Sequence, residues 1–467
     1  MTTTAALSRR LLPRDATERE IADRLYGLVA SAPIISPHGH VDPAMLAGND
    51  AFRDPATLLV RDDHYVTRLL HADGVALDHL GIGASDFSEA DARRVWRLFC
   101  ERWHLFAGTA SGYWLRSTLA DVFDIAETPA DADADELFDR ISGELQQERM
   151  RPKALLDTFG IAVLATTDAP LDALDAHVAL AADAAVSTQV RPTFRPDAYI
   201  DPASRGWGER IERLLASTGD HGYAGYLRAL EHHRRRFVAH GATSADFGVL
   251  SPQTADLSDA EASRLFDRAR AQELEVGETE LFLAHMLTES ARMSVEDGLV
   301  MTVHAGVRRN HHSATLASFG ADRGHDIPVP TTFVDPMRPL LERFGTEPGF
   351  QLILFTVDET TFSRELAPLA GFYPSVFIGA PWWFLDAPDS ATRFRAATVE
   401  TAGFYRGSGF IDDTRAFLSI PARHDMARRT DAAYLARLVA DERISSSEAE
   451  RIIVDLQDAI PRRAFKL

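Results

Sequence analysis

Cysteine is almost missing from this chain. A single thiol, Cys100, stands among 467 residues, so no internal disulfide can form and a reducing, cytoplasmic setting is expected. Long apolar runs are missing too. No stretch approaches the roughly 18 consecutive apolar residues that a membrane helix needs. The first residues carry Arg9 and Arg10 but no apolar core of a secretory leader, so no membrane partner is expected. Positive charge is scarce: 49 Lys and Arg against 69 Asp and Glu give a formal charge of −20. That argues against a nucleic-acid partner, which would require a basic face. A Gly-rich phosphate loop is absent, and so are repeats, heptads and low-complexity linkers.

What is present is an alternation of apolar runs and amphipathic stretches. Eight runs read as strands: 33–37, 161–166, 186–194, 242–247, 299–304, 351–356, 375–378 and 409–411. The fourth and eighth are short and polar. Helical patterns lie between most of them, the signature of a parallel sheet. Eight such units predict an α/β fold of the (β/α)8 TIM-barrel type, with 1–467 as one domain. The gap between the first two strands is too long for one crossover, so 50–155 is read as a helical insertion. Trp96, Phe99, Trp103 and Phe106 are expected on one helix face, as core. Residues 121–136 read as an acidic surface loop or short helix. Ser258 and Glu261 form a capping box, and a second helix is expected to run on to about Met293. Helix is expected again from Asp431 to Ile460, with Ile452, Ile453 and Leu456 on one face.

The most informative stretch is Ser36-Pro37-His38-Gly39-His40-Val41-Asp42, at the end of the first run. Residues i and i+2 of a strand share a side, so two imidazoles can converge on one cation. Barrel chemistry sits at the C-terminal strand ends. There the sequence offers Arg195, Asp246, His304, Asp358, Asp413 and Arg415. Together His38, His40, Asp413 and His304 suggest a mononuclear centre with nitrogen and oxygen ligands. Such a set suits zinc or another divalent first-row metal. Arg195 and Arg415 offer planar forks for a carboxylate, the better guess without a phosphate loop. Each residue also has a structural reading: a core histidine, an N-cap, a turn acid, a salt bridge.

Several segments resemble the uronate (glucuronate) isomerase family of the amidohydrolase superfamily over nearly the whole chain. They are SPHGHVDP at 36–43, DDHYVTRLL at 62–70, RPTFRPD at 191–197, VHAGVRRN at 303–310, FIGAPWWF at 377–384, FIDDTRAFLS at 410–419 with RHD at 423–425, and the final IPRRAFKL. The resemblance implies a (β/α)8 barrel that interconverts aldo- and keto-hexuronates. It makes His38 and His40 resemble the metal pair, Asp413 the strand-eight acid and His304 the strand-five histidine. Tyr65 resembles an active-site tyrosine, and Arg195, Asp246 and Arg415 residues lining the sugar acid. His64, Trp382, Arg462 and Arg463 are weaker carry-overs.

Two departures stand out. Asp-Asp-Thr-Arg replaces a Thr-Asp-Ser-Arg found in many relatives, and strand four supplies no bridging lysine, which disfavours a two-metal hydrolase site. The implied reaction moves a proton through a cis-enediol, with Asp413 at the base step and Tyr65 or His304 serving the carbonyl oxygen. The implied partner is a small-molecule uronate; a homo-oligomer is left open. The rivals are a superfamily hydrolase or isomerase acting on another sugar acid, a sugar-acid binding protein, and a scaffold.

Overall fold

The structure is a computed structural model that describes residues 10–467, so Arg9 lies outside the described residues. In chain order the strands are β1 Ile34–Ser36, β2 Ile161–Ala165, β3 Gln189–Arg191, β4 Ser244–Val249, β5 Val300–Ala305, β6 Val307–Arg308, β7 Ile327–Pro328, β8 Leu352–Thr356 and β9 Val376–Ile378. β6 and β7 make a small antiparallel ribbon. The other seven pair in parallel, as β1-β2-β3 and as β4-β5-β8-β9.

Single residues join these sheets into a ring. Phe194 bridges in parallel to Asp168 on one side and Ala245 on the other. Past β9, Gly407 bridges to Ile378, and the Ser408 amide donates to the Ile378 carbonyl at 2.8 Å. The His40 amide donates to the Thr414 carbonyl at 3.0 Å, which brings the eighth segment against the first. The expected barrel is therefore present. Its eighth member is irregular chain over 407–414, with positive φ at Gly409 and Asp413, rather than a strand at 409–411. The third is shorter than read, and the fourth is shifted two residues along the chain, so that Asp246 lies inside β4 rather than at its end.

β5 and β8 are buried throughout, as expected of strands covered on both faces. Alternation sorts their side chains. Met301, Val303, Leu352 and Leu354 pack outward in one large apolar cluster with the surrounding helices. Val300, Ile353 and Phe355 point to a separate inner cluster with Trp382 and Ile411. Thr302, His304 and Asp246 share that inner side, as their mutual hydrogen bonds show.

The insertion is helical and shares an apolar core with β1, β2 and the segment Phe417–Ile420. Trp96 and Phe99 lie on the helix Glu89–Glu101, but Trp103 and Phe106 lie on the separate 3-10 turn Trp103–Phe106. All four are buried as expected, on two elements rather than one. Residues 121–136 divide between the end of the helix Ala110–Phe123, a connection, and the start of the helix Ala134–Leu145. The Ser258–Glu261 capping box is formed at the start of the helix Asp259–Arg270, and the second helix is Val276–Asp297. The tail is three helices, Ile420–Ala440, Ser446–Gln457 and Ala459–Phe465, rather than one from 431 to 460. Ile452, Ile453 and Leu456 are buried against the helix Ala16–Val29 and its neighbours.

Candidate active site

His38 and His40 leave the end of β1 on one side, and Asp413 meets them from the eighth segment. His38 Nε2 is 3.3 Å and His40 Nε2 2.9 Å from Asp413 Oδ1. The two imidazoles stand edge to face at 84°. Asp413 Oδ1 is buried and meets both imidazole nitrogens: three ligand-type atoms converge on one another. Tetrahedral ligands with bonds of about 2.05 Å lie roughly 3.3 Å apart, so the spacing suits a small divalent ion. Burial alone would raise the Asp413 carboxyl. The imidazoles of His38 and His40 outweigh it and hold it well below the carboxylate range. Burial pushes His40 down. It opposes His38 as well, but the charge of Asp246 and the contact with Asp413 win and raise it.

Beneath this group lies a second one. His304 Nδ1 is 2.7 Å from Asp246 Oδ1, and Thr302 donates to the same oxygen at 2.7 Å. The His304 ring stacks on Phe355 at 4.1 Å and on His38 at 4.6 Å, and its Nε2 has no partner. Burial lowers the His304 pKa, while His304 and Arg195 hold the buried Asp246 carboxyl well below its ordinary value against burial. His38, Asp246 and His304 thus form a second candidate ligand group. Arg195 is committed: Nη1 lies 3.2 Å from Asp246 Oδ2 and Nε donates to Asp197 Oδ2 at 2.8 Å. Gly248 makes room for it, since a Cβ there would sit 2.6 Å from Arg195 Nη2.

Above the ligand group a cavity opens. Its walls include His40, His64, Tyr65, Trp382, Asp413 and Arg415, so six of the expected residues meet in one space. Tyr65 enters from the first turn of the helix His64–Ala72, whose N-cap is Asp63. Burial raises the Tyr65 phenol well above its ordinary value. His64 stacks on Tyr65 at 4.7 Å, and neither of its ring nitrogens has a partner. Burial, then the charge of Arg415, push its pKa down to about 3.

Other expected residues fall elsewhere. Asp246 and Arg195 do not line the cavity. Asp358 shapes a turn, accepting from the Thr331 and Thr360 amides. Arg462 and Arg463 are not at the site at all. Gln351, just before β8, donates to the Arg463 carbonyl, which places this tail at the opposite end of the barrel. Six wall residues escaped the sequence reading: Asp63, Arg309, Asp322, Trp383, Thr414 and Ala416. Arg309 had a signal, since it follows His304 by five residues at a strand end. Asp322 had none, because it sits in the β6–β7 connection.

A parallel barrel with a His-x-His pair after its first strand and an aspartate after its last defines an amidohydrolase-type barrel enzyme. The glucuronate isomerase family model matches residues 12–462, and the chain belongs to that family. It is 48% identical to a uronate isomerase of Corynebacterium efficiens, covering 100% of both chains. Among solved structures it resembles the glucuronate isomerase of Caulobacter crescentus, with 46% identity, TM-score 0.95, and coverage of 98% of this chain and 96% of that one. It also resembles the uronate isomerase of Thermotoga maritima, with 25% identity, TM-score 0.91 and 98% coverage of each.

Proposed function

We propose that this cavity isomerises open-chain hexuronates, D-glucuronate to D-fructuronate and D-galacturonate to D-tagaturonate. One observation carries the reading: the guanidiniums of Arg309 and Arg415 share a wall with Asp413, His40 and Tyr65. Two arginines suit a carboxylate, and an acid with a phenol beside it suits proton traffic at a carbonyl. Family membership and the close likeness to uronate isomerases support it.

The substrate carboxylate binds Arg309 and Arg415, which sets C1 and C2 against Asp413. Asp413 takes the C2 proton; the electron pair forms the C1–C2 double bond of a cis-enediol. Tyr65, kept protonated by burial, gives its proton to the C1 oxygen. The second half reverses the roles: the O2 proton leaves, the C2 carbonyl forms, and C1 is protonated. His304, held by Asp246 with Nε2 free, braces the His38 ring and is a further proton carrier. Trp382 and His64 close the walls. His38, His40 and Asp413 would hold a divalent metal, zinc by ligand type, which supplies Lewis-acid polarisation of substrate oxygens.

We read the protein as cytoplasmic, with one domain over 1–467 carrying the 50–155 insertion. No helix among the described residues is long and apolar enough to cross a membrane. The test is direct: glucuronate and galacturonate are given to purified protein, with and without chelator. Ketose should form, more slowly after chelation if the ion takes part. No ketose from either sugar, even with added zinc, would end the reading.

A further inference from the structure

The cavity already contains a carboxylate at its arginine wall. Asp322 lies in the β6–β7 connection, and its two oxygens face different guanidiniums. Oδ1 is 3.8 Å from Arg309 Nη1, and Oδ2 is 3.4 Å from Arg415 Nη2. The three side chains are similarly open, at 44% for Asp322, 42% for Arg309 and 41% for Arg415. Fully made charge-assisted bonds run at about 2.7–2.9 Å, so both contacts are loose. Arg309 has firmer support behind it: the buried Asp326 at 3.3 Å and the Trp383 ring at 4.5 Å. Asp322 is therefore the replaceable partner.

The backbone is built to present this residue. Asp322 has φ +59°, between Gly320 at +82° and Gly324 at +79°. Gly324 seats the loop on the Tyr65 helix, since a Cβ there would come within 2.7 Å of Arg68 Cβ. Burial would raise the Asp322 acid, but Arg415 and Arg309 prevail and lower it, so the group is an anion.

We propose that Asp322 is a binding-site residue that sets the affinity for sugar acids, an internal carboxylate that bridges Arg309 and Arg415 until the carboxylate of a sugar acid takes its place. The inference rests on the hexuronate reading above. Only an anionic ligand can trade for Asp322, because a neutral sugar offers the arginines nothing in return. The residue thus costs sugar acids some affinity and leaves the binding of neutral polyols unaffected.

The Asp322→Asn variant keeps the shape and removes the charge; Asp322→Ser serves if that variant fails to fold. Binding to the full-length proteins is measured by calorimetry with two probes. D-gluconate is an open-chain six-carbon acid without an aldehyde, and sorbitol is its neutral counterpart. Gluconate should bind the variant about three- to fivefold more tightly, the range two loose ion pairs permit, with sorbitol unchanged. Equal or weaker gluconate binding overturns the proposal, as does no gluconate binding to either protein. So does an equal gain for sorbitol, which would make the effect steric. No turnover enters this readout, so a wild-type protein that leaves glucuronate unchanged would sink the hexuronate reading separately.

Discussion

Asp413 carries its carboxylate on a left-handed backbone, φ +44°. That conformation costs most residues about 1–2 kcal/mol, and Asn and Asp bear it best. Two substitutions therefore separate chemistry from fold. Asp413→Asn retains the backbone preference and loses the charge that His38 and His40 surround. Its turnover should fall by at least ~10²-fold, with helix content by circular dichroism unchanged. Asp413→Ala should lose the same activity and, in addition, about 1 kcal/mol of stability in urea unfolding. Near-normal turnover of the Asn variant would remove Asp413 from the base step. The residue was legible from sequence because it ends a strand position and stands two before an arginine. Asp322 was not, since a loop acid between glycines reads as a surface turn.

Among the elements, the join between the eighth segment and the helix Ile420–Ala440 bears the most on the site. Arg423 is 1% exposed, and its Nη1 lies 2.6 Å from Asp386 Oδ2, itself 2% exposed. The same nitrogen reaches the Asp412 carbonyl at 3.3 Å, and the guanidinium lies 3.4 Å above the Trp114 ring. One cation thus ties the barrel's last member, the tail helix and the insertion together. Burial pushes the Asp386 carboxyl up to about 7, even with Arg423 beside it. Arg423→Met would strand that acid. Breaking a buried pair costs about 3–5 kcal/mol, but at low pH Asp386 takes a proton and is relieved. The loss measured by urea unfolding should therefore be larger at pH 8 than at pH 5, and an equal loss at both would refute the account. The same join explains the limits of the sequence reading. β5 and β8 were legible because strands covered on both faces are unbroken apolar runs. The eighth member was not, because Gly407, Gly409 and the acids at 412 and 413 give it neither such a run nor alternation. Likewise, periodicity continued the aromatic stripe past Arg102, although the chain there turns into a separate 3-10 element.

At the scale of the whole molecule, a chain of net charge −20 sets Arg309 and Arg415 on its cavity wall among the acids Asp63, Asp322 and Asp413 and carries many further acids elsewhere. Some of those acids are buried at a cost, and pH exposes it. Asp168, at the end of β2, is 7% exposed and accepts from Thr166 at 2.7 Å. Burial pushes its carboxyl up to about 6. Between pH 4 and 6 the unfolded chain has lost this proton while the folded protein keeps it. Fewer protons are then bound in the unfolded state, so this group makes stability fall as pH rises through the window. Asp246 and Asp413 act oppositely, but their contribution disappears only as pH drops through their depressed values, below this window. The full cost of the Asp168 charge is about 3 kcal/mol, of which nearly half develops between pH 5 and 7.5. Asp168→Asn cannot ionise. In urea unfolding its stability relative to the wild type should improve by that amount from pH 5 to 7.5. A difference that stays constant would mean that Asp168 is ionised in the folded protein throughout, with His177 Nε2, 3.6 Å away, balancing its charge.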